Sequence, residues 1–220
     1  MGIISVEQAS RLYWLGRYTE RAYTTIRMFF DSYDQMIDEE KDSYRAFCSS
    51  VDIPDIYQSK EDFLKRYPFD ETNPDSIISN LNRAYDNAIV LRESISTEAL
   101  SYIQLALYEM NIAAKSNAPL FELQHVLDYI LAFWGSIDDR IDSEETRNII
   151  KAGKRIERID LYARLGSDTE EIRREVHRMI PRVEKCGLPY DKERLEKVKK
   201  LAEEEHLDYY TIVANVEFIL

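Results

Sequence analysis

Gly16-Arg17-Tyr18-Thr19-Glu20-Arg21, closed by Arg27, and Gly153-Lys154-Arg155-Ile156-Glu157-Arg158, closed by Arg164, are two copies of one phrase. Glycine, a basic residue, a Glu-Arg pair and a distal arginine recur at the same offsets. Both copies lie in stretches whose apolar residues repeat every three or four positions, the period of an α-helix. A glycine inside a helix costs up to ~1 kcal/mol relative to alanine. A charge on a core-facing stripe costs more. Two such penalties repeated in one pattern point to a duplicated architectural element.

The surroundings of the two copies set the fold class. Before the first, Ser5 with Gln8 forms a capping box, and Leu12, Leu15, Tyr18, Ala22, Ile26 and Phe29 or Phe30 carry the helical period onward. The first repeat helix is therefore expected over about 5–38, with a length of ~50 Å at 1.5 Å per residue. The second is expected over about 143–165, from Ser143 to a stop at Gly166. Between them, Pro54 and Pro68 break residues 39–73 into short helices, one capped by Ser59. Asn73-Pro74 places proline at a first helical position, for a helix to about Glu93. Ser96 then caps a helix to about Lys115, and Pro119 opens another through Trp134. Ser167 with Glu170 reads as a capping box for a helix to Cys186, with Pro181 as a kink or stop. Asp191 caps a helix to about His206, and the apolar residues 207–220 are expected to dock. Six glycines and six prolines in 220 residues leave little room for a turn-rich β fold. The expectation is one all-α domain over 1–220, a helical bundle of about seven to nine helices with a degenerate internal duplication.

Composition narrows the function classes. Hydrophobic residues at 45% and charged residues at 32% are globular proportions. A net charge of -12 repels phosphate backbones and anionic lipid, so nucleic acid and membrane surfaces are not expected partners. No apolar run reaches the ~18 residues of a spanning helix. Cys48 and Cys186 form no CxxC pair and read as reduced thiols. With no signal-peptide pattern at the start, the expected location is the cytoplasm.

The repeat itself implies chemistry. Gly16, Glu20 and Arg27 fall near one helix face, as do Gly153, Glu157 and Arg164. Each glycine admits a neighbouring backbone, and each carboxylate then needs a cation in a place with little water. A reciprocal exchange satisfies both, with Glu20 meeting Arg158 or Arg164 and Glu157 meeting Arg21 or Arg27. Arginine suits this because its planar fork holds a carboxylate through two hydrogen bonds. The network is either a pin that fixes helix register or an anion or peptide-carboxylate site, which requires one arginine without a protein partner. Arg17, Arg21, Lys154, Arg155 and Arg158 would form a local basic patch if the two repeat helices sit side by side.

Three stretches carry a family resemblance. Leu12-Tyr13-Trp14-Leu15-Gly16-Arg17-Tyr18-Thr19-Glu20-Arg21-Ala22 resembles the opening signature of the alpha-E domain family, bacterial all-helical proteins with a recurring Glu-Arg motif. Asn73-Pro74-Asp75-Ser76-Ile77 with Asn82-Arg83-Ala84-Tyr85-Asp86-Asn87-Ala88 is similar to a second family stretch, and the repeat at Gly153 to Arg164 is the third. The resemblance implies a place beside circularly permuted ATP-grasp ligases and transglutaminase-like peptidases. It therefore implies an accessory or partner-binding role in peptide or amide-bond synthesis or processing. It supplies no catalytic residue. Homo-oligomerisation stays open.

Competing constellations are fewer. Glu122 with His125 and Glu203 with His206 share the E-x-x-H spacing that helical bundles use for paired metals. Asp138-Asp139-Arg140-Ile141-Asp142 and the Asp34 to Asp38 pair match carboxylate patterns that hold Mg²⁺ against a diphosphate. These define the alternative, a helical metal- or Mg-diphosphate-dependent enzyme. No glycine-rich phosphate loop or nucleophile elbow occurs. The sequence assigns no catalytic residue, metal ligand or cofactor.

Overall fold

The computed structural model describes residues 4–38 and 43–220, with the side chains of 34–38 and 43 set aside. The described residues form eleven α-helices and no strand. Ten of the helices have seven or more residues, so the count exceeds the seven to nine expected. In chain order they are α1 (Val6–Asp38), α2 (Ser43–Ser50), α3 (Lys60–Arg66), α4 (Ile77–Val90), α5 (Arg92–Ile95), α6 (Thr97–Ala113), α7 (Pro119–Arg140), α8 (Glu144–Arg164), α9 (Thr169–Glu184), α10 (Lys192–Glu203) and α11 (Tyr209–Val216). They divide into two compact units. The first contains the chain up to Glu20 and Ile141–Leu220, and the second is Arg21–Arg140. The boundary falls inside α1.

Local signals set most helix ends. Ser59, Ser96, Ser143 and Asp191 each accept a hydrogen bond from the backbone N–H three residues on. This satisfies one of the orphan donors of a first helical turn. Gly166, at φ +64°, closes α8 as a left-handed stop. Ser167 N–H reaches Tyr162 O at 2.9 Å and Gly166 N–H reaches Ala163 O at 3.3 Å, the two bonds of a Schellman motif.

Four boundaries differ from the sequence expectation. Asn73-Pro74 forms a turn, in which the Asn73 side chain accepts from Asp75 N–H at 2.9 Å, and Ser76 caps α4 instead. That helix stops at Val90 rather than near Glu93, and α5 follows as a separate turn. Helix α7 runs through Gly135 to Arg140, because a solvent-facing glycine costs too little to stop it. Asp168, not Ser167, stands at the start of α9, since Ser167 is taken up in closing α8. Pro181 lies within α9, which continues to Glu184.

The first unit packs α8 against α9 and α11, with α10 against α9 and α11. Val216 and Ile219 are fully buried, and Asp191 N–H donates to Ile219 O at 2.8 Å, so the C-terminal residues dock. In the second unit α6 and α7 form a hairpin across the short loop 114–118. Alanines at 99, 106 and 113, every seventh residue, line one buried seam of α6, which packs against α7 and α4. Beneath α2 and α3 lies an aromatic cluster centred on the fully buried Phe63. Tyr67 stacks on it at 5.0 Å, and Tyr44 and Tyr57 pack at 5.4 and 5.2 Å. Phe63 alone removes enough apolar surface from water to contribute ~2–3 kcal/mol.

Candidate functional site

The repeated phrase builds a crossing of α1 and α8 inside the first unit. A Cβ placed on Gly16 would overlap the carbonyl oxygen of Ile150 and stand 3.1 Å from Lys154 N. A Cβ on Gly153 would overlap the carbonyl oxygen of Tyr13 and stand 3.3 Å from Arg17 N. Ile150 precedes Gly153 by three residues, as Tyr13 precedes Gly16, so the backbones meet as a pseudo-two-fold pair. Only glycine on both sides permits this approach.

The carboxylates of the motif are buried at this crossing. Glu20 is 0% exposed, and its Oε1 accepts from Arg158 Nε at 2.6 Å. Glu157 is 1% exposed, and its Oε2 accepts from Arg17 Nε at 2.6 Å. Thus Glu20 takes Arg158, one of the two partners expected for it, and Glu157 takes Arg17. Arg17 holds its place because its guanidinium lies over two rings, 5.0 Å from that of Trp14 and 5.9 Å from that of Tyr13. Burial works against its charge, but Glu157, Tyr13 and Glu217 together outweigh burial and raise its affinity for the proton. Arg158 behaves alike, with Glu20, Glu175 and Tyr162 together outweighing burial. Arg21 belongs to the second unit, where its charge acts on Tyr67. Arg27 is exposed there. Arg164 pairs with neither motif glutamate. Its Nε lies 3.0 Å from both Asp160 oxygens.

Three acids that the sequence reading did not single out complete the network. Glu217 accepts from Arg17 at 3.3 Å and lies 3.8 Å from Arg164. Glu175 of α9 accepts from Arg155 and, at 2.9 Å, from Arg178, with Arg158 at 3.7 Å. Burial pushes the Glu175 carboxyl up, yet these arginines outweigh it and hold it below its ordinary value. Asp160 goes the other way, raised to about 6 by burial and the nearby Glu157. Glu175 was legible, because it interrupts the apolar stripe Ile172, Val176, Met179, Val183. Glu217 carries no such signal.

Lys154 occupies the position in the second copy that Arg17 holds in the first. Burial pushes its ammonium down to about 7; Glu20 opposes the shift, and Arg158 and Arg155 add to it. A folded-state pKa below the unfolded value of ~10.4 means the folded protein releases this proton first. Stability of the first unit is then expected to rise as pH climbs from about 7 toward the unfolded value. Between pH 7 and ~8.5 the rise should be about 1.5 kcal/mol. Asp160 acts in the opposite sense, but lower, between 3.8 and about 6. Urea unfolding at several pH values should show the rise in the native chain and a smaller one in Lys154→Met, where Lys151, lowered by burial to about 8, still contributes.

The other candidate residues fall into separate places. Glu122 and His125 of α7 come together, with Glu122 Oε2 3.5 Å from His125 Nδ1. Glu203 and His206 do not meet as a pair. Glu203 lies 3.1 Å from His177 instead, and all three are exposed. Asp138, Asp139 and Asp142 are exposed at and beyond the C-terminal end of α7, where Asp139 lies 3.2 Å from Arg140. The Asp34 to Asp38 pair lies outside the described side chains. Cys48 and Cys186 are free and buried, and burial raises both thiols, that of Cys48 to about 12. Among the described residues no helix is long and apolar enough to cross a membrane.

A glycine-notched crossing locked by two buried Glu–Arg pairs defines an all-helical protein of the Glu-Arg motif class. The chain belongs to the Alpha-E family, whose model, a predicted alpha-helical domain with a conserved ER motif, matches residues 7–185. The Glu-Arg pairs Glu20-Arg21 and Glu157-Arg158 both fall within that span. No curated protein and no solved structure matches the chain.

Proposed function

We propose that this chain is an accessory, partner-binding protein of a bacterial system that makes or processes peptide or amide bonds. Its partner is an ATP-grasp-type ligase or a transglutaminase-like peptidase, the proteins beside which the family resemblance places it. The observation that carries the reading is where the motif's charges go. Glu20 and Glu157 are spent on Arg158 and Arg17 inside the first unit, so the family signature serves architecture. A protein whose defining motif is internal acts on others through its surface. Leu105 and Tyr108, three residues apart on α6, and Phe121 on α7 are all exposed, Tyr108 and Phe121 by 63% and 67%. Exposed aromatic residues of this kind anchor protein interfaces.

Mixing the purified chain with the ligase or peptidase encoded beside it, followed by calorimetry, tests this. A stable complex is expected, weakened at least tenfold by Leu105→Ser with Tyr108→Ser, since interface anchors contribute ~2 kcal/mol each. The variant's thermal midpoint should hardly move. Lack of a complex with either enzyme removes the proposal.

A further inference from the structure

We infer that Glu109, Glu122 and His125 form a binding site for a divalent first-row transition ion, on the α6–α7 hairpin of the second unit. One ligand atom of each lies within 4.8 Å of the other two. Glu122 Oε2 and Glu109 Oε2 stand 3.5 and 3.9 Å from the same imidazole nitrogen, His125 Nδ1. An ion bound at ~2.0–2.2 Å to such ligands holds its donor atoms ~3.0–3.5 Å apart. The three groups therefore need shifts of under about 1 Å, within the freedom of half-buried side chains.

The surroundings favour an ion over a chance meeting of charges. Glu122 and His125 sit one turn apart on one helix, which fixes their relative direction. Glu109 comes from the facing helix, so hairpin packing closes the set. The second oxygen of Glu122 accepts from Ser116 Oγ at 3.3 Å, and that hydroxyl also accepts from Ala118 N–H at 3.0 Å. This loop contact is the outer-sphere support that orients metal-binding carboxylates. The imidazole packs edge-on against Phe121 at 5.3 Å, which restrains its ring. The Glu109 and Glu122 side chains are only 15% and 23% exposed, so two partly desolvated carboxylates face each other across the site. A divalent cation relieves that repulsion.

The donor set selects the ion. One imidazole with two carboxylates suits Mn²⁺, Fe²⁺, Co²⁺ or Zn²⁺ better than Mg²⁺ or Ca²⁺, which prefer all-oxygen shells. Three protein ligands leave coordination positions open, as in metal sites that take a water or substrate. A groove of about 450 Å³, lined by Tyr108, Asn111, Ile112, Lys115, Ser116 and Glu122, opens beside them. Lys115 gives that groove a positive charge suited to a carboxylate or phosphate on the ion.

Co²⁺ titration of the tag-free, chelator-stripped chain tests the site, read by visible absorption and by thermal midpoint. One strongly bound equivalent is expected, with a midpoint that rises with Co²⁺ concentration and not with Mg²⁺. His125→Ala and Glu109→Gln should each weaken binding at least about tenfold, whereas His206→Ala should leave it intact. Both site variants should match the native midpoint without metal. Should His125→Ala unfold, His125→Asn serves in its place. No saturable binding, or equal affinity in the His125 variant, overturns the inference.

Discussion

Arg17→Met is expected to lower the stability of the first unit by about 3–5 kcal/mol. The reason lies with the partner it leaves behind. Glu157 is 1% exposed, and its Oε2 receives the Arg17 Nε at 2.6 Å. Removing the guanidinium leaves a buried carboxylate without its short hydrogen bond. Glu217, the other acid Arg17 touches, is 29% exposed and can turn to water, so it adds little. The double variant Arg17→Met with Glu157→Leu should recover most of the loss and end within ~1.5 kcal/mol of the native chain. A double loss well below the sum of the single losses separates a register pin from an anion site. An anion site would lose ligand affinity in Arg17→Met with its stability almost unchanged. Urea unfolding provides the measurement, and the two tryptophans allow it unit by unit. Trp14 belongs to the first unit and Trp134 to the second, so Trp134→Phe leaves a reporter beside the crossing. A loss below 1 kcal/mol would show that the pair fixes nothing.

That pair also shows how far a sequence can be read. The glycine, the glutamate and the helical period were visible because each is a local property: spacing, propensity and the cost of a buried charge. The caps at Ser59, Ser96, Ser143 and Asp191 were visible for the same reason. Partner choice was not, because it depends on tertiary surroundings. The sequence pointed Glu157 to Arg21 or Arg27, whereas Arg17 reaches it at 2.6 Å. The rings of Tyr13 and Trp14 lie against the Arg17 guanidinium, and a ring's position over a cation is not a matter of spacing. Glu109 stayed hidden likewise. Nothing in its own neighbourhood marks it, and it matters only because α7 folds back to bring Glu122 and His125 opposite. The division between Glu20 and Arg21 leaves no trace either, since α1 passes through it without a break in its apolar period.

Gly153→Ala and Gly16→Ala should each destabilise the first unit by about 3 kcal/mol, at the upper end of overpacking costs. The ordinary expectation has the opposite sign, since alanine in place of a helical glycine gains up to ~1 kcal/mol. Contact with backbone reverses it. The added methyl of Gly153→Ala meets the Tyr13 carbonyl group and lies 3.3 Å from Arg17 N, and that of Gly16→Ala meets the Ile150 carbonyl group. Main-chain atoms inside a helix cannot swing aside as a side chain can. The two helices must move apart, and the 2.6 Å bonds from Arg17 to Glu157 and from Arg158 to Glu20 stretch with them. Gly135 provides the control. It lies within α7 with no atom within 4 Å of its built Cβ, so Gly135→Ala should stabilise the second unit by ~0.5–1 kcal/mol. The double variant of Gly16 and Gly153 should cost clearly less than the two single losses together, because the first methyl has already opened the crossing that the second would obstruct. Unfolding midpoints followed at Trp14 and Trp134 distinguish these outcomes. Stabilisation by either crossing alanine would mean that the backbones do not meet at the glycines, and the structural account of the repeated motif would fail with it.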